Sequence, residues 1–509
     1  MAGNQSEGAN AAGVPGELVP NMAQEKPVHG DNSDGPAEDG LDQHLSSLSL
    51  SARALHADDY LNSHQAVAPP MHVSTTFRYN RDPEKLVPLL NINPNNPHDS
   101  HAYSRETAPN TTRLEAVLSS LLGGPALTYS SGLAAFHALL VFLNPRRIAI
   151  GGGYHGCHGV IRLLSKLTGL RMIEFDSSST NDDDDAALER ELGPGDVIHV
   201  ETPLNPTGEA RNLERYAAIA RRAGAYLVVD ATFAPPPLLD PFRWGADAVM
   251  HSGTKYLGGH SDMLCGVVAV APRHNDSKAE GGAWIPRLLD ERLVLGSVMG
   301  SFEGWLGLRS VRTLELRVRR QSADAEALAR WLADEVASSS SKNAGPVGRV
   351  VREVRHASLQ AEAADAGSWL RRQMPNGFGA AFSVLLRDAD SARRLPSKLR
   401  LFQHATSLGG VESLVEWRAM SDSSVDPRLM RISVGLEGWT DLRDDLVSAC
   451  EALLAEEDDG ARGTDTDRDT GKGESGQGQG DKEVERQEGK KGHAPKLSAS
   501  DVGGSMQIM

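Results

Sequence analysis

AYLVVDATFAPPPLLDPFRWGADAVMHSGTKYLGGHSD, residues 225–262, contains two near-continuous apolar runs, AYLVVDAT (225–232) and ADAVMHSG (246–253), each closing on polar residues. Runs this short and this apolar suit strands buried on both faces, as in a parallel sheet. The first stops at Asp230, and the second leads directly into Lys255, flanked by Ser252, Thr254, Gly258 and Gly259. Open parallel sheets bind ligands at the carboxyl ends of their strands, so these two polar ends mark the expected site.

To either side the pattern repeats. RRIAIGG (146–152), VIHVET (197–202) and CGVVAVA (265–271) are further apolar runs. TRLEAVLSSLLGG (112–124) and LERYAAIARRAGA (213–225) space apolar residues by three and four and finish near glycine, as amphipathic helices do. Strands alternating with helices predict an α/β fold, a mostly parallel sheet with helices on both faces. Beyond about residue 325 the alternation loosens, and strand-like FSVLLRD (382–388) and LMRISVGLE (429–437) predict a smaller C-terminal α+β domain. The expected organisation is a tail over 1–50, a large domain over 51–325, a smaller domain over 326–455 and an acidic, Gly-rich tail over 456–509. Neither tail has the periodic apolar residues that would offset ordering, so both are expected to be disordered. ASSSSKNAGP (337–346) reads as a flexible loop insertion.

A net charge of -16 over 509 residues excludes partners that need a basic face, nucleic acid and anionic membrane among them. Small metabolites remain. No apolar run approaches the roughly eighteen residues of a membrane-spanning helix, and MAGNQSEGANAAGVPGELVP at the start has no basic region followed by an apolar core. Cys157, Cys265 and Cys450 are too few and too scattered for a disulfide framework or a clustered metal site. A reducing, cytoplasmic setting is expected, with no metal. HGCH (155–158) reads as packing and hydrogen bonding, and DDDD (182–185) as a solvated loop before a helix.

The chemistry starts from Lys255. An ammonium among apolar neighbours is destabilised, which frees the amine to condense with an aldehyde, while the flanking hydroxyls can donate to a phosphate. Alone, such a lysine is equally consistent with a surface residue in a Gly-rich turn. Asp230 ends a very apolar run, where a lone carboxylate is costly and calls for a cation, either an arginine or a protonated pyridine nitrogen. SSGLAAFHALL (130–140) sets Ser131 and Gly132 before an apolar helical pattern. The N–H groups of Gly132 and Leu133 then point at a phosphate, or Ser131 merely caps the helix. Lysine, acid and cradle together fit pyridoxal 5'-phosphate (PLP).

In order along the chain, YSR (103–105), ALTYSSGLAA (126–135), ETPLNPTG (201–208), VVDATFAPP (228–236), HSGTKYLGGHSD (251–262), SLGGVESL (407–414) and RISVGLE (431–437) resemble the Cys/Met-metabolism, or trans-sulfuration, family. These are fold-type I PLP-dependent transferases, and the resemblance covers roughly residues 52–455. It implies that Lys255 carries PLP as a Schiff base and that Lys255 and Tyr103 move protons. Asp230 would face the pyridine nitrogen, Tyr154 would stack on the ring, and Ser252, Thr254, Gly132 and Leu133 would hold the phosphate. Tyr103 and Arg105 would reach the neighbouring subunit's phosphate, making a homodimer or homotetramer with active sites shared across the dimer interface. Arg431, with Asn205 and Ser407, would clamp the carboxylate of a small sulfur amino acid.

The implied activity makes or breaks C–S bonds of cystathionine-type substrates, as a cystathionine γ-synthase or lyase. O-acylhomoserine sulfhydrylase, methionine γ-lyase and a non-catalytic scaffold are the alternatives; an aminotransferase would share the lysine and acid but leaves YSR and SLGGVESL unexplained. Thr406 stands where several γ-acting enzymes have Glu, whereas SLGGVESL is nearer to γ-synthases, so the reaction type stays open. YHGC (154–157) replaces the usual YGGT. ETAPNTTRLE (106–115) replaces a Gly-Asn-Pro-Thr run and EWRAM (416–420) a proline and histidine, changes expected to reshape the distal substrate pocket.

Overall fold

The computed structural model describes residues 45, 47–62, 66–88, 101–276, 282–341 and 344–466. The chain divides between Ser47 and Leu48, and both sheets and the helices that cover them belong to the part from Leu48 onward. Of the tails expected over 1–50 and 456–509, residues 45, 47–50 and 456–466 are described, the last as helix rather than tail, and the rest lies outside the described residues.

Among the described residues seven strands form the first sheet: β1 (Ala126–Tyr129), β2 (Arg147–Ile150), β3 (Arg171–Glu174), β4 (Val197–Glu201), β5 (Tyr226–Asp230), β6 (Ala248–Ser252) and β7 (Gly266–Val270), in the order β1-β7-β6-β5-β4-β2-β3. Strands β2 to β6 run parallel; β7 is antiparallel to β6, and β1 to β7. Successive side chains of a strand point to opposite faces. On β5, Leu227 and Val229 enter one apolar cluster and Val228 the other, so the sheet is covered on both faces. The helices packed around this core are α1 (Leu50–His56), α2 (Pro109–Leu122), α3 (Gly132–Leu143), α4 (His155–Thr168), α5 (Asp182–Glu191), α6 (Leu213–Ala223), α7 (Trp284–Leu295) and α8 (Ser301–Val311), after which α9 (Leu314–Ala337) runs on to a second sheet. Phe136, Ile161 and Leu288 of α3, α4 and α7 fill the Val228 side, while Leu114 of α2 and Tyr216 of α6 fill the other. β1 and β3 were not among the five expected runs. β3 is an edge strand with only Ile173 buried, and so has no apolar run to read.

The acid run Asp182–Asp185 is the first turn of α5, capped by Asn181, rather than a loop before it. There its charges meet the positive end of the helix dipole.

A second sheet has the order β10-β11-β12-β9-β8, from β8 (Val351–Arg355), β9 (Ala381–Leu386), β10 (Gln403–His404), β11 (Leu414–Trp417) and β12 (Leu429–Ser433). The boundary expected at 325 falls inside α9, and that expected at 455 inside the last helix, α10 (Trp439–Thr466). We take the two sheets as the cores of a larger and a smaller domain. α9 ties them. Its Arg317 donates to the Tyr256 carbonyl at 2.8 Å, and Gln321, one turn on, donates to the Gly410 carbonyl at 2.6 Å. No described helix is long and apolar enough to cross a membrane.

Candidate active site

The carboxyl ends of β4, β5 and β6 open into a cavity of about 240 Å³ that also takes wall residues from the second sheet. Ten of the expected site residues line it: Lys255, Asp230, Ser252, Thr254, Gly132, Leu133, Tyr154, Asn205, Ser407 and Arg431. Tyr103 and Arg105 do not; both are exposed, with the Arg105 guanidinium 5.5 Å from the Tyr103 ring centre.

Lys255 follows β6 by three residues, and its Nζ donates to the Ser407 hydroxyl at 2.6 Å. Burial, then the charge of Arg431, pushes its ammonium down to about 8 against the opposing pull of Glu416. Ser407 sits at φ 82°, a left-handed conformation that costs a non-glycine residue on the order of 1 kcal/mol. The same residue offers its carbonyl to Arg431 Nη2 at 2.8 Å, joining the two cations without pairing them.

Arg431 lies on β12 directly opposite Glu416 on antiparallel β11, so the two side chains share a face. Nη2 reaches Glu416 at 2.6 Å and Nη1 reaches Asn205 Oδ1 at 3.0 Å. Burial pushes the Arg431 guanidinium down to about 10, which leaves it cationic at neutral pH. Burial works to raise the Glu416 carboxyl, but Arg431, Ser421 and Arg418 hold it below its ordinary value.

Parallel register does the same for two acids. Glu201 and Asp230 are partners across β4 and β5 and project to the same face at the strand ends. Both are buried. Desolvation drives both carboxyls up, and the Asp230 charge raises Glu201 further. Glu201 accepts the N–H groups of Tyr154 at 2.8 Å and Asn205 at 2.6 Å. Asp230 accepts from the Thr232 N–H at 3.0 Å and hydroxyl at 2.5 Å, both on Oδ1. Among the described residues Oδ2 has no donor.

Sequence reasoning missed Glu201, Thr232, Glu416 and Arg418. Glu201 ends the apolar run VIHVET as Asp230 ends AYLVVD, so the argument made for one acid was available for both. Arg418 and Glu416 lie in EWRAM, noted only as a departure, and the pairing of Glu416 with Arg431 depends on cross-strand register. Thr254 is on the wall, but its hydroxyl donates to the Cys265 carbonyl at 3.2 Å and accepts the Cys265 N–H at 3.0 Å, which leaves Ser252 as the freer hydroxyl.

These residues fit PLP. A buried carboxylate oxygen without a donor suits a protonated pyridine nitrogen. At the other end, Gly132 opens α3 so close to β6 that a Cβ would meet Ser252 Cβ at 3.1 Å, leaving backbone N–H groups and the Ser252 hydroxyl to form a cradle for an anion. A mostly parallel sheet that delivers lysine, buried acid and phosphate cradle to one cavity defines a fold-type I PLP-dependent enzyme.

Comparison narrows the class. The chain belongs to the Cys/Met metabolism PLP-dependent enzyme family, whose model matches residues 51–451. It is 32% identical over 366 residues to a cystathionine β-lyase of Lactococcus lactis subsp. cremoris, covering 69% of this chain and 88% of that one. It is 30% identical over 420 residues to a cystathionine γ-lyase of Saccharomyces cerevisiae, covering 79% and 96%. The crystal structure of cystathionine γ-synthase from Xanthomonas oryzae pv. oryzae superposes with a TM-score of 0.66 at 27% identity, covering 80% of this chain and 99% of that one. A β-lyase, a γ-lyase and a γ-synthase are thus similar to this chain to much the same degree.

Proposed function

We propose that this chain makes or breaks the carbon–sulfur bond of cystathionine-type sulfur amino acids. The observation that carries the reading is the meeting, in one cavity, of Lys255 on Ser407, the donor-free Oδ2 of Asp230 and buried Arg431. PLP, when bound, supplies an electron sink for the pair left on the substrate's Cα. Arg431 and Asn205 hold the substrate carboxylate, for which a guanidinium presents two parallel donors. Ser407 touches both Arg431 and Lys255, so a carboxylate seated on Arg431 brings the Cα hydrogen within reach of the amine. With an ammonium pKa of about 8, Lys255 is neutral in roughly one molecule in ten at pH 7, far more than an ordinary lysine, and can take that proton. The same nitrogen, now charged, returns the proton to the leaving group or to a neighbouring carbon. Asp230 stays ionised against the pyridine nitrogen, and Glu201, pushed up by burial and by the Asp230 charge, is the acid of the two that keeps its proton.

Tyr103 serves as the second proton carrier and Arg105 as a phosphate ligand in the site of a neighbouring subunit. Their exposure away from this chain's own cavity supports a homodimer or homotetramer. The cysteines, all unpaired and buried, support a reducing, cytoplasmic setting.

The test is anaerobic incubation of the PLP-loaded protein with L-cystathionine, with products identified by mass spectrometry. Homocysteine with pyruvate establishes β-elimination, and cysteine with 2-oxobutyrate establishes γ-elimination. Turnover of an O-acylhomoserine with cysteine, and not of cystathionine, establishes γ-replacement. No carbon–sulfur chemistry on any of them overturns the proposal.

A further inference from the structure

The histidine of YHGC and the arginine of EWRAM stand on the same cavity wall. Arg418 follows β11, and its side chain is only 5% exposed. Nη1 donates to Glu416 Oε2 at 2.9 Å, the same oxygen that Arg431 holds at 2.6 Å, so one carboxylate balances two guanidiniums. The other edge of Arg418 is unspent. Its Nε is buried without an acceptor, and Nη2 has Asp422 Oδ2 at 3.9 Å, beyond hydrogen-bond reach. Nε and Nη2 form the edge with which a guanidinium takes a carboxylate side-on. Asp422 is itself restrained, since its Oδ1 accepts the Ser424 N–H at 3.0 Å and hydroxyl at 2.6 Å. The same Asp422 Oδ2 has His155 Nδ1, buried without a hydrogen bond, at 3.9 Å.

A buried donor without an acceptor is costly, and a ligand that brings the acceptor removes the cost. Arg431 is already supplied by Asn205, Ser407 and Glu416 and serves the α-carboxylate; Arg418 has no part in that task. We propose that the free edge of Arg418 seats a second carboxylate, at the end of the substrate's side chain. The enzyme therefore selects amino acids whose side chain ends in a carboxylate over those ending in an alkyl or amine group. The inference rests on the reading of this cavity as the substrate site, with Arg431 at the α-carboxylate.

Two matched pairs test it: O-succinyl-L-homoserine against O-butyryl-L-homoserine, and L-cystathionine against S-(2-aminoethyl)-L-homocysteine. In each the second compound lacks the distal carboxylate. Binding is read from the absorbance change of the PLP-loaded protein on rapid mixing, which precedes bond cleavage. Wild type is expected to prefer the carboxylate-bearing member by about tenfold or more, because a buried polar group left unpaired discriminates strongly. Arg418→Met should reduce the preference below about threefold, and Arg418→Lys should keep part of it. A wild-type preference below about threefold in both pairs, or one that survives Arg418→Met, overturns the proposal. So does binding of neither member of either pair. If Arg418→Met fails to hold PLP, Arg418→Lys decides, and a preference equal to wild type overturns the proposal. An intact preference without turnover of any compound would sink the carbon–sulfur chemistry and leave the carboxylate seat standing.

Discussion

Lys255 should capture PLP as an amine far more available than an ordinary lysine. Its ammonium is lowered from the ordinary 10.5 to about 8 by burial and by Arg431. That difference corresponds to about 3 kcal/mol at 1.36 kcal/mol per pH unit, and at pH 7 it leaves roughly one amine in ten neutral rather than one in about three thousand. The assay strips PLP from the protein, then follows the return of the cofactor's visible absorption from about pH 6 to about pH 10, with N-acetyl-lysine methylamide as the baseline for PLP's own ionisation. The rate constant should rise about tenfold per pH unit and level off near 8, and at neutral pH exceed the baseline by roughly 300-fold before any gain from binding. Arg431→Leu removes a cation that lowers Lys255 and leaves Glu416 to raise it, so the bend should move to higher pH. Folding stability acquires a pH dependence of definite sign. Between about 8 and 10.5 the unfolded chain holds a proton on Lys255 that the folded, cofactor-free chain does not, so stability rises with pH across that window. A rate constant still rising about tenfold per unit at about pH 10, or a bend that Arg431→Leu does not move, would refute the reasoning.

Lys255→Ala should abolish the absorption of the covalently held cofactor while far-ultraviolet circular dichroism stays native; persistence of the band would remove Lys255 from its role. Asp230→Asn should lower kcat by about a hundred- to a thousandfold through loss of the charge opposite the pyridine nitrogen, an electrostatic effect of the size seen when a preorganised group is removed. It should also raise the Tm of the cofactor-free protein, because one of two adjacent buried acids is gone; a lower Tm would contradict the repulsion inferred for the pair. Glu416→Gln removes the carboxylate charge that two buried guanidiniums share and should cost about 3–5 kcal/mol in urea unfolding. Gly266→Ala would place a Cβ 2.0 Å from the Ser131 carbonyl oxygen. It should destabilise by about 1–3 kcal/mol and weaken PLP retention by shifting the start of α3, as equilibrium dialysis would show.

Lys255 and Asp230 could be read from the sequence because a strand buried on both faces writes an unbroken apolar run, and a polar residue at its end stands out. β3 could not, being exposed at the sheet edge with one residue buried, and β1 was read only as part of the ALTYSSGLAA motif. The pairing of Glu416 with Arg431 was hidden for another reason: their opposition is set by the register of β11 against β12, and register is a property of two strands together. That the Thr254 hydroxyl also bonds the Cys265 backbone could not be read, since the pairing depends on how the chain returns along the neighbouring strand. The boundary at 325 was drawn where the apolar pattern loosens, but helix α9 continues through it, because a helix needs only one apolar stripe and tolerates polar residues elsewhere.

Because α9 holds the Tyr256 carbonyl with Arg317 and the Gly410 carbonyl with Gln321, the lysine segment and the SLGG segment are anchored four helical residues apart, a rise of about 6 Å. A chain cut at 325 would keep Arg317 and Gln321 but lose Gly410, leaving the strut with only its first anchor. Limited proteolysis should therefore spare the middle of α9, and the two sheets should melt in a single cooperative transition.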